Sequence, residues 1–419
     1  MSSQGSSFVD TIKFVIREAL LTGSARFYLA ALGLLIIALY GMYLWIFVQH
    51  APIFLGSEEG GLILTALSDS VPWGIYIAFF VFWVGVAAAG IVFGIAAYVF
   101  GDKEFKKVAV LGEVQAVAAI ITVLLLITVD LGRPLRALVL MPQLPNLRSM
   151  LDWDFIVLIG YLVLNLIGML VTVHYYRQDK PIPKKFIVPF ITIAAPFAIG
   201  IHTVTAFISQ ALTARPIWNS PLLAPRYVAT AFASGPAILL LALYLAERYI
   251  KGFKIDFSVY KKTLYVIVGS LIVGLYFTLS EVHEIFWYTT EPAKKAQAQT
   301  LFLGYHLPYL AKLMWLWIGL GIAAVILGIL PRIHNTKRGI IFVSILTIIA
   351  VVAEKTMTII IPGFMPSALG EVKPYYPTAI EIGITIGVHA VGILLYLLLA
   401  RPALKAVMMH YFSGGGAKH

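Results

Sequence analysis

Apolar runs long enough to cross the hydrocarbon core of a bilayer, about 20 residues each, recur from one end of this chain to the other. They leave no room for a soluble domain between them. A backbone in lipid must satisfy its own polar groups, so runs of this kind fold as helices. Unbroken runs also exclude a β-barrel, whose strands alternate apolar and polar residues. Composition agrees, with 60% hydrophobic and 12% charged residues in 419. The sequence therefore predicts an all-α polytopic membrane protein of ten transmembrane helices, near 27–49, 72–100, 108–130, 154–176, 186–213, 224–248, 263–287, 307–331, 338–361 and 378–400. Before the first run, Phe8, Ile12, Phe14, Ile16 and Leu20 alternate with Lys13 and Arg17, which predicts an amphipathic helix lying in the membrane interface and no cleavable signal.

The net charge of +11 has a direction. Loops on the side of the N-terminus carry Lys103, Lys106 and Lys107, then Lys180, Lys184 and Lys185, then Lys251, Lys254, Lys261 and Lys262. The alternate loops are poorer in bases, and the first of them carries Glu58, Glu59 and Asp69 instead. The positive-inside rule then predicts both termini in the cytoplasm, in the inner (cytoplasmic) membrane. The basic surplus is a topology signal, and no nucleic-acid partner is expected. The outer loops, 50–71, 131–153, 288–306 and 362–377, are the longer ones and the expected binding surface. Spans two to five and six to nine start on the same side. Each set opens with a small-residue run, 84–90 (Val-Gly-Val-Ala-Ala-Ala-Gly) and 229–235 (Ala-Thr-Ala-Phe-Ala-Ser-Gly), of the kind that lets helices pack closely. The expected organisation is two parallel four-helix bundles plus two flanking helices: 1–71 with the interfacial segment and first helix, 72–213 and 224–361 as the bundles, and 378–419 as the last helix and tail.

The chain has no cysteine, so disulfides and Cys-ligated iron–sulfur or zinc centres are excluded from it. His202 and His389 are the only deep histidines, with His174, His283 and His306 near span ends, so a four-histidine haem pattern is missing. What remains is a set of ionisable residues at membrane depth, which mark function by default. Asp130-Leu-Gly-Arg133-Pro-Leu-Arg136 closes the third span; its plain reading is a helix-end cap with an Asp–Arg pair. His202, Thr205 and Ser209 share one face of the fifth span, where the histidine either packs structurally or passes a proton. Glu113 and Gln115 open the third span and, with Asp130, predict a polar track across the membrane. Glu281, Glu284, Glu354, Lys355, Glu381 and His389 are grouped as a second proton path or a structural remnant of the second bundle. Glu354 and Lys355, being adjacent, are expected to pair with another helix rather than with each other. The outer rim carries Trp73, Tyr76, Trp153, Arg215, Trp218 and Arg226, either an interfacial belt or the wall of a pocket for a flat lipophilic ring.

Three stretches carry a resemblance: Val-Pro-Trp-Gly-Ile-Tyr-Ile-Ala (71–78), Asp-Leu-Gly-Arg-Pro-Leu-Arg (130–136), and the run from His-Thr-Val-Thr-Ala-Phe-Ile (202–208) through Ala-Arg-Pro-Ile-Trp-Asn-Ser-Pro-Leu-Leu-Ala-Pro-Arg-Tyr (214–227) to Ala-Phe-Ala-Ser-Gly-Pro-Ala (231–237). In these the chain resembles the NrfD-like family of polysulfide reductase-type membrane subunits. It looks most like the ten-helix branch that includes the P subunit of the Dsr transmembrane complex. The resemblance implies a site for menaquinone or another quinone in the first bundle, made by Trp73, Tyr76, Asp130, Arg133 and His202, with Asp130 and His202 handling protons. Apart from the resemblance, the ionisable residues themselves give the expected proton path: Glu113, Gln115, Glu281, Glu354, Glu381 and His389. The resemblance also implies a periplasmic ferredoxin-like iron–sulfur partner and further redox partners of cytochrome c or b type, so that the chain is not a catalyst alone. Leu135-Arg136 departs from shorter members, many of which carry an acid before the second arginine. The rival readings are a secondary transporter, which suits parallel repeats and midplane charges, and a membrane anchor without chemistry of its own.

Overall fold

In a computed structural model, residues 7–51, 64–68, 71–143, 146–213, 215–305, 308–363 and 374–412 are described, with the backbone alone at 138–142, 310 and 357–363. Glu58, Glu59, Asp69, Ala214 and His306, named above, lie outside the described residues.

Ten helices are long and apolar enough to cross a membrane: Ala25–Gln49, Ile75–Val99, Ala109–Asp130, Met150–Arg177, Lys184–Gln210, Leu223–Tyr249, Phe257–Tyr288, Ala311–Ile329, Lys337–Thr356 and Ala379–Phe412. They are spans one to ten. Among the described residues there is no strand, only an isolated bridge between Ser68 and Val71. The second span packs on the third and fifth, and the fourth packs on both of these, closing a four-helix bundle. Spans six to nine close another in the same way. The seam between bundles is made by the second span against the sixth and ninth and by the fifth against the sixth. The two small-residue runs meet at that seam. A side chain on Gly235 would strike Ala89, and one on Gly85 would strike Ala231, so close backbone approach is what glycine provides there.

The tenth span does not join the second bundle. It lies against the third, second and fourth spans and carries the first span on its outer side, where Gly41 and Gly387 pack backbone to backbone. The amphipathic helix is Phe8–Leu20, capped by Ser7 and Asp10. It is clamped to the fourth and tenth spans: Thr11 bonds His174 at 2.8 Å, Lys405 reaches Glu18 at 2.8 Å, and Arg401 donates to the Ala19 carbonyl at 3.2 Å. The N-terminal helix and the end of the last span thus share one face, the terminal face; the other is the far face. Part of the expected loop 131–153 is a short helix, Pro134–Gln143. Pro134 takes its first position, where a missing N–H costs nothing. Wider π-type turns end the first, second, seventh and tenth spans, a feature apolar periodicity does not signal.

Candidate functional site

Each helix of the first bundle turns at least one buried polar side chain inward near the far face. Tyr76 is the second residue of its helix, Asp130 the last of the third span, Asp154 the fifth of the fourth, and His202 lies eight residues before the end of the fifth. A helix end in lipid leaves orphan carbonyls that something must satisfy. At Asp130 that work falls to the first span. Gln49 donates to the Val129 carbonyl at 2.9 Å, His50 sits 3.1 Å from the Leu131 carbonyl, and the Tyr76 hydroxyl donates back to Gln49 at 2.8 Å. The π-type turn Leu44–Gln49 brings Gln49 and His50 inward, both fully buried. The Asp130 backbone is therefore held on both sides, while its Oδ1 meets no partner among the described residues. Arg133 follows in the turn, half-buried.

Glu381 stands within electrostatic range of Asp130 and Tyr76, so these three belong together although they come from three spans. Its own oxygens are fully employed. One accepts from the backbone N–H groups of Ala66 (3.0 Å) and Thr378 (2.8 Å), the other from the Tyr375 hydroxyl (2.8 Å), which in turn accepts from Ile75 N–H. Glu381 ties the start of the tenth span to the start of the second. His389 is equally committed. Its Nδ1–H donates to the Thr385 carbonyl at 2.7 Å and its Nε2 accepts from Trp83 at 2.9 Å, which fixes a neutral ring in one tautomer. The sequence grouped both residues with the second bundle. The structure moves them to the first, because the tenth span packs there.

His202 is completely buried, and neither ring nitrogen has a hydrogen-bond partner among the described residues. Its ring stacks on Tyr227 with centroids 5.3 Å apart. Tyr227 belongs to the sixth span and also takes the Lys355 ammonium 3.7 Å from its ring centre, a cation–π contact. From there a buried ionic cluster spreads through the second bundle. Lys355 pairs with Glu354 at 3.0 Å and donates to Thr230 at 2.8 Å; Arg226 forms an ion pair with Glu354 at 3.2 Å and a hydrogen-bonded one with Glu281. Two corrections follow. Glu354 and Lys355 do pair with each other as well as with another helix. Arg226, expected on the aromatic rim, is 3% exposed and committed to the two glutamates.

Of the rim, Trp73 packs on the fully buried Trp218 with centroids 4.9 Å apart and planes tilted by 31°. Trp153 points elsewhere, donating to the Leu147 carbonyl. The expected track from Glu113 through Gln115 does not run along one face. Glu113 turns to the fourth span, where the Thr172 hydroxyl is 3.5 Å away, whereas Gln115 bridges the carbonyls of Val86 and Gly235 across the seam. Residues two apart on a helix point in nearly opposite directions. Glu284 pairs with Lys294 near the far face, outside the cluster of the second bundle. A cavity of about 570 Å³ opens between the fifth, sixth and seventh spans, lined by apolar residues such as Ile199, Val228 and Phe232. Among the described residues no cluster of His, Asp and Glu has the makings of a metal site. Sequence reasoning missed Gln49, His50, Asp154 and Tyr227. Asp154 and the Gln49-His50 pair stand at the ends of predicted spans, where polar residues are ordinary, so the sequence carries no strong signal for them.

A family model described as "Polysulphide reductase, NrfD" matches residues 64–367. The chain is 27% identical to a protein of Halobacterium salinarum provisionally named as a membrane subunit of dimethyl sulfoxide reductase, over 93% of this chain and 94% of that one. It is also 27% identical to the Hdr-like menaquinol oxidoreductase integral membrane subunit of Archaeoglobus fulgidus, over 82% of this chain and 89% of that one. A shorter match, 24% identical over 43% of this chain and half of the relative, is to a selenate reductase subunit of Mesobacillus selenatarsenatis.

Proposed function

The chain belongs to the NrfD polysulphide reductase family, and on that premise we propose that it is the quinone-reactive membrane subunit of a multi-subunit redox complex. The relatives are named as subunits of reductases and of a menaquinol oxidoreductase, and membership in a complex with redox partners follows from the same names.

One observation carries the reading. Two buried groups able to bond a quinone's oxygens, Asp130 Oδ1 and the His202 ring, stand in the first bundle with hydrogen-bonding atoms left over. Buried polar atoms of that kind are rare unless a ligand, water or ion completes them. The Trp73–Trp218 pair adds aromatic packing at the same end. A bound quinone supplies a two-electron, two-proton couple. The chain's residues would hold it and manage its protons: Asp130 at the mouth of the third span, His202 deeper on the fifth, Arg133 in the turn where negative charge would be steadied. Without cysteine the chain holds no Cys-ligated iron–sulfur cluster of its own, and we assign the delivery of electrons to a ferredoxin-like iron–sulfur protein at the far face. We take the far face as the periplasmic one in the cytoplasmic membrane, from the basic loops on the terminal face.

The test is Asp130→Asn in the assembled complex. The variant should assemble with its partners yet lose quinol-linked electron transfer about a hundredfold or more, the scale of a lost acid–base group. Normal turnover would remove Asp130 from the site. Orientation is checked separately: a chain without cysteine accepts single cysteines at Arg136 and Lys251, and a membrane-impermeant maleimide added to intact cells should label only the first.

A further inference from the structure

We propose that Asp154 is a proton-holding acid of the far-end site and exchanges its proton with the bundle interior through the Thr205 hydroxyl. The inference rests on the quinone reading above and adds to it a residue that neither the sequence motifs nor the relatives' names point to.

The geometry is a hydrogen count. Thr205 Oγ1 lies 2.8 Å from the Ile201 carbonyl one helical turn back and 2.7 Å from Asp154 Oδ1. A threonine hydroxyl has one hydrogen and two acceptor lone pairs. A carbonyl and a carboxylate both only accept, and one hydrogen cannot fill both contacts; of the two partners only the carboxyl can bring a second, so the consistent count gives the threonine hydrogen to the Ile201 carbonyl. Two bare acceptors would then face each other at 2.7 Å unless Asp154 carries the missing hydrogen, and a protonated carboxyl has one to donate. The second bundle shows the same arrangement with its donor in plain view. Thr230 bonds the Arg226 carbonyl one turn back at 3.0 Å, and Lys355 Nζ sits 2.8 Å from its hydroxyl. Asp154 occupies the place that an ammonium fills at Thr230. It is 2% exposed, and among the described residues no cation pairs with it, which is the condition under which a buried carboxyl stays neutral rather than charged.

Position makes the acid useful. At 1.5 Å of rise per residue, Thr205 lies roughly 7 Å inside the far end of its helix, with His202 about one turn deeper. Thr205 and His202 are three residues apart and share a helix face. The acid's hydrogen moves from Oδ1 to Thr205 Oγ1, while the hydrogen of Thr205 swings off the Ile201 carbonyl toward the His202 side. In quinone reduction that proton passes to the ligand on the His202 side and a carboxylate remains on Asp154; in quinol oxidation the same two transfers run in reverse, and in neither direction does an electron move through these residues. The carboxylate regains its proton from water at the far face. Asp154 acts through Thr205 and is a relay residue rather than a group in contact with the ligand.

The test uses infrared difference spectroscopy on the purified complex together with quinol kinetics. Asp154→Asn keeps the shape and a donor toward Thr205, so it should fold and assemble. The wild type should show C=O stretches of protonated carboxyls near neutral pH that shift in D₂O, and Asp154→Asn should lose one component that Asp130→Asn and Glu113→Gln both retain. Turnover should fall about a hundredfold, the scale of a lost proton-transfer group, and the pH–rate profile should lose a limb. Thr205→Val should keep that component and lose turnover, and Thr205→Ser should restore turnover. A wild type without protonated-carboxyl bands, or an Asp154→Asn spectrum that has lost no component of them, overturns the proposal. So does loss of the component with rate and pH profile unchanged. A wild-type complex that binds no quinone and oxidises no quinol sinks the quinone reading itself, whatever the bands do.

Discussion

The two bundles handle buried charge in opposite ways. In the second, Glu281 and Glu354 are matched by Arg226 and Lys355, and the four interlock across the sixth, seventh and ninth spans. In the first, Asp130, Asp154 and Glu113 have no cation paired with them among the described residues. A matched cluster in a low-dielectric interior is rigid, because moving either partner exposes the other. Unmatched acids change charge by taking or losing a proton, so that is where proton chemistry belongs. Tyr227 joins the two regimes, with His202 stacked on it and the Lys355 ammonium over its ring. The second bundle thus serves as a fixed electrostatic wall behind the His202 side of the first.

The comparison breaks most readily at Arg226. Arg226→Leu leaves two buried carboxylates against one ammonium, and removing one partner of a buried pair costs about 3–5 kcal/mol. We expect a large loss of monodisperse protein and a lower denaturation midpoint in detergent. The double variant Arg226→Leu/Glu281→Leu keeps Glu354 with Lys355 and restores the count, so most of the stability should return. A single variant as stable as the wild type would mean that the cluster is not the rigid element described here.

A smaller effect sharpens the first-bundle side. Gln49→Ala removes the donor to the Val129 carbonyl and the acceptor of the Tyr76 hydroxyl. Leaving buried partners unsatisfied costs about 1–3 kcal/mol. The Asp130 backbone loosens at the same time, so the KM for quinol should rise beyond what the stability loss explains. Tyr76→Phe removes only the second of the two bonds and should produce about half of the change. Equal quinol kinetics in both variants and the wild type would show that the grip of the first span on the third is structural alone.

These residues also mark what the sequence made legible. The ten spans are plain because bilayer thickness fixes the length of an apolar run. Asp130 and His202 stand out because charge and imidazole are costly there. Gln49 and His50 looked like the polar end of a span, since a wider turn that rolls them inward leaves no trace in apolar periodicity. Asp154 was hidden behind Trp153, an ordinary interfacial aromatic. The seat of the tenth span was not legible either. Its partners are set by small-residue contacts such as Gly41 with Gly387, and a helix apolar on most faces does not say which face meets protein. Apolar patterning therefore places Glu381 and His389 with the second bundle, although their depth alone marks both as unusual.

The smallest expected effect lies outside the membrane, at the clamp between the amphipathic helix and the tenth span. Burial pushes the Glu18 carboxyl up, but the bonds from Lys405 and Thr22 outweigh it and hold the group below its usual range. A depressed folded-state value means that the clamp contributes fully above the ordinary carboxylate pKa of about 4.3 and is lost as pH falls through the lower folded value. Lys405 is half-exposed, so solvent screens the pair and the contribution is small, about 1 kcal/mol or less. Hydrogen–deuterium exchange of residues 8–20 reads this directly. Wild-type protection should drop on the acid limb, whereas Glu18→Gln should show a slightly lower protection that does not change with pH. Wild-type protection that stays flat into acid would assign the clamp to Thr11–His174 and to apolar contacts such as Val15, and would leave the contrast between matched and unmatched charge to the membrane interior alone.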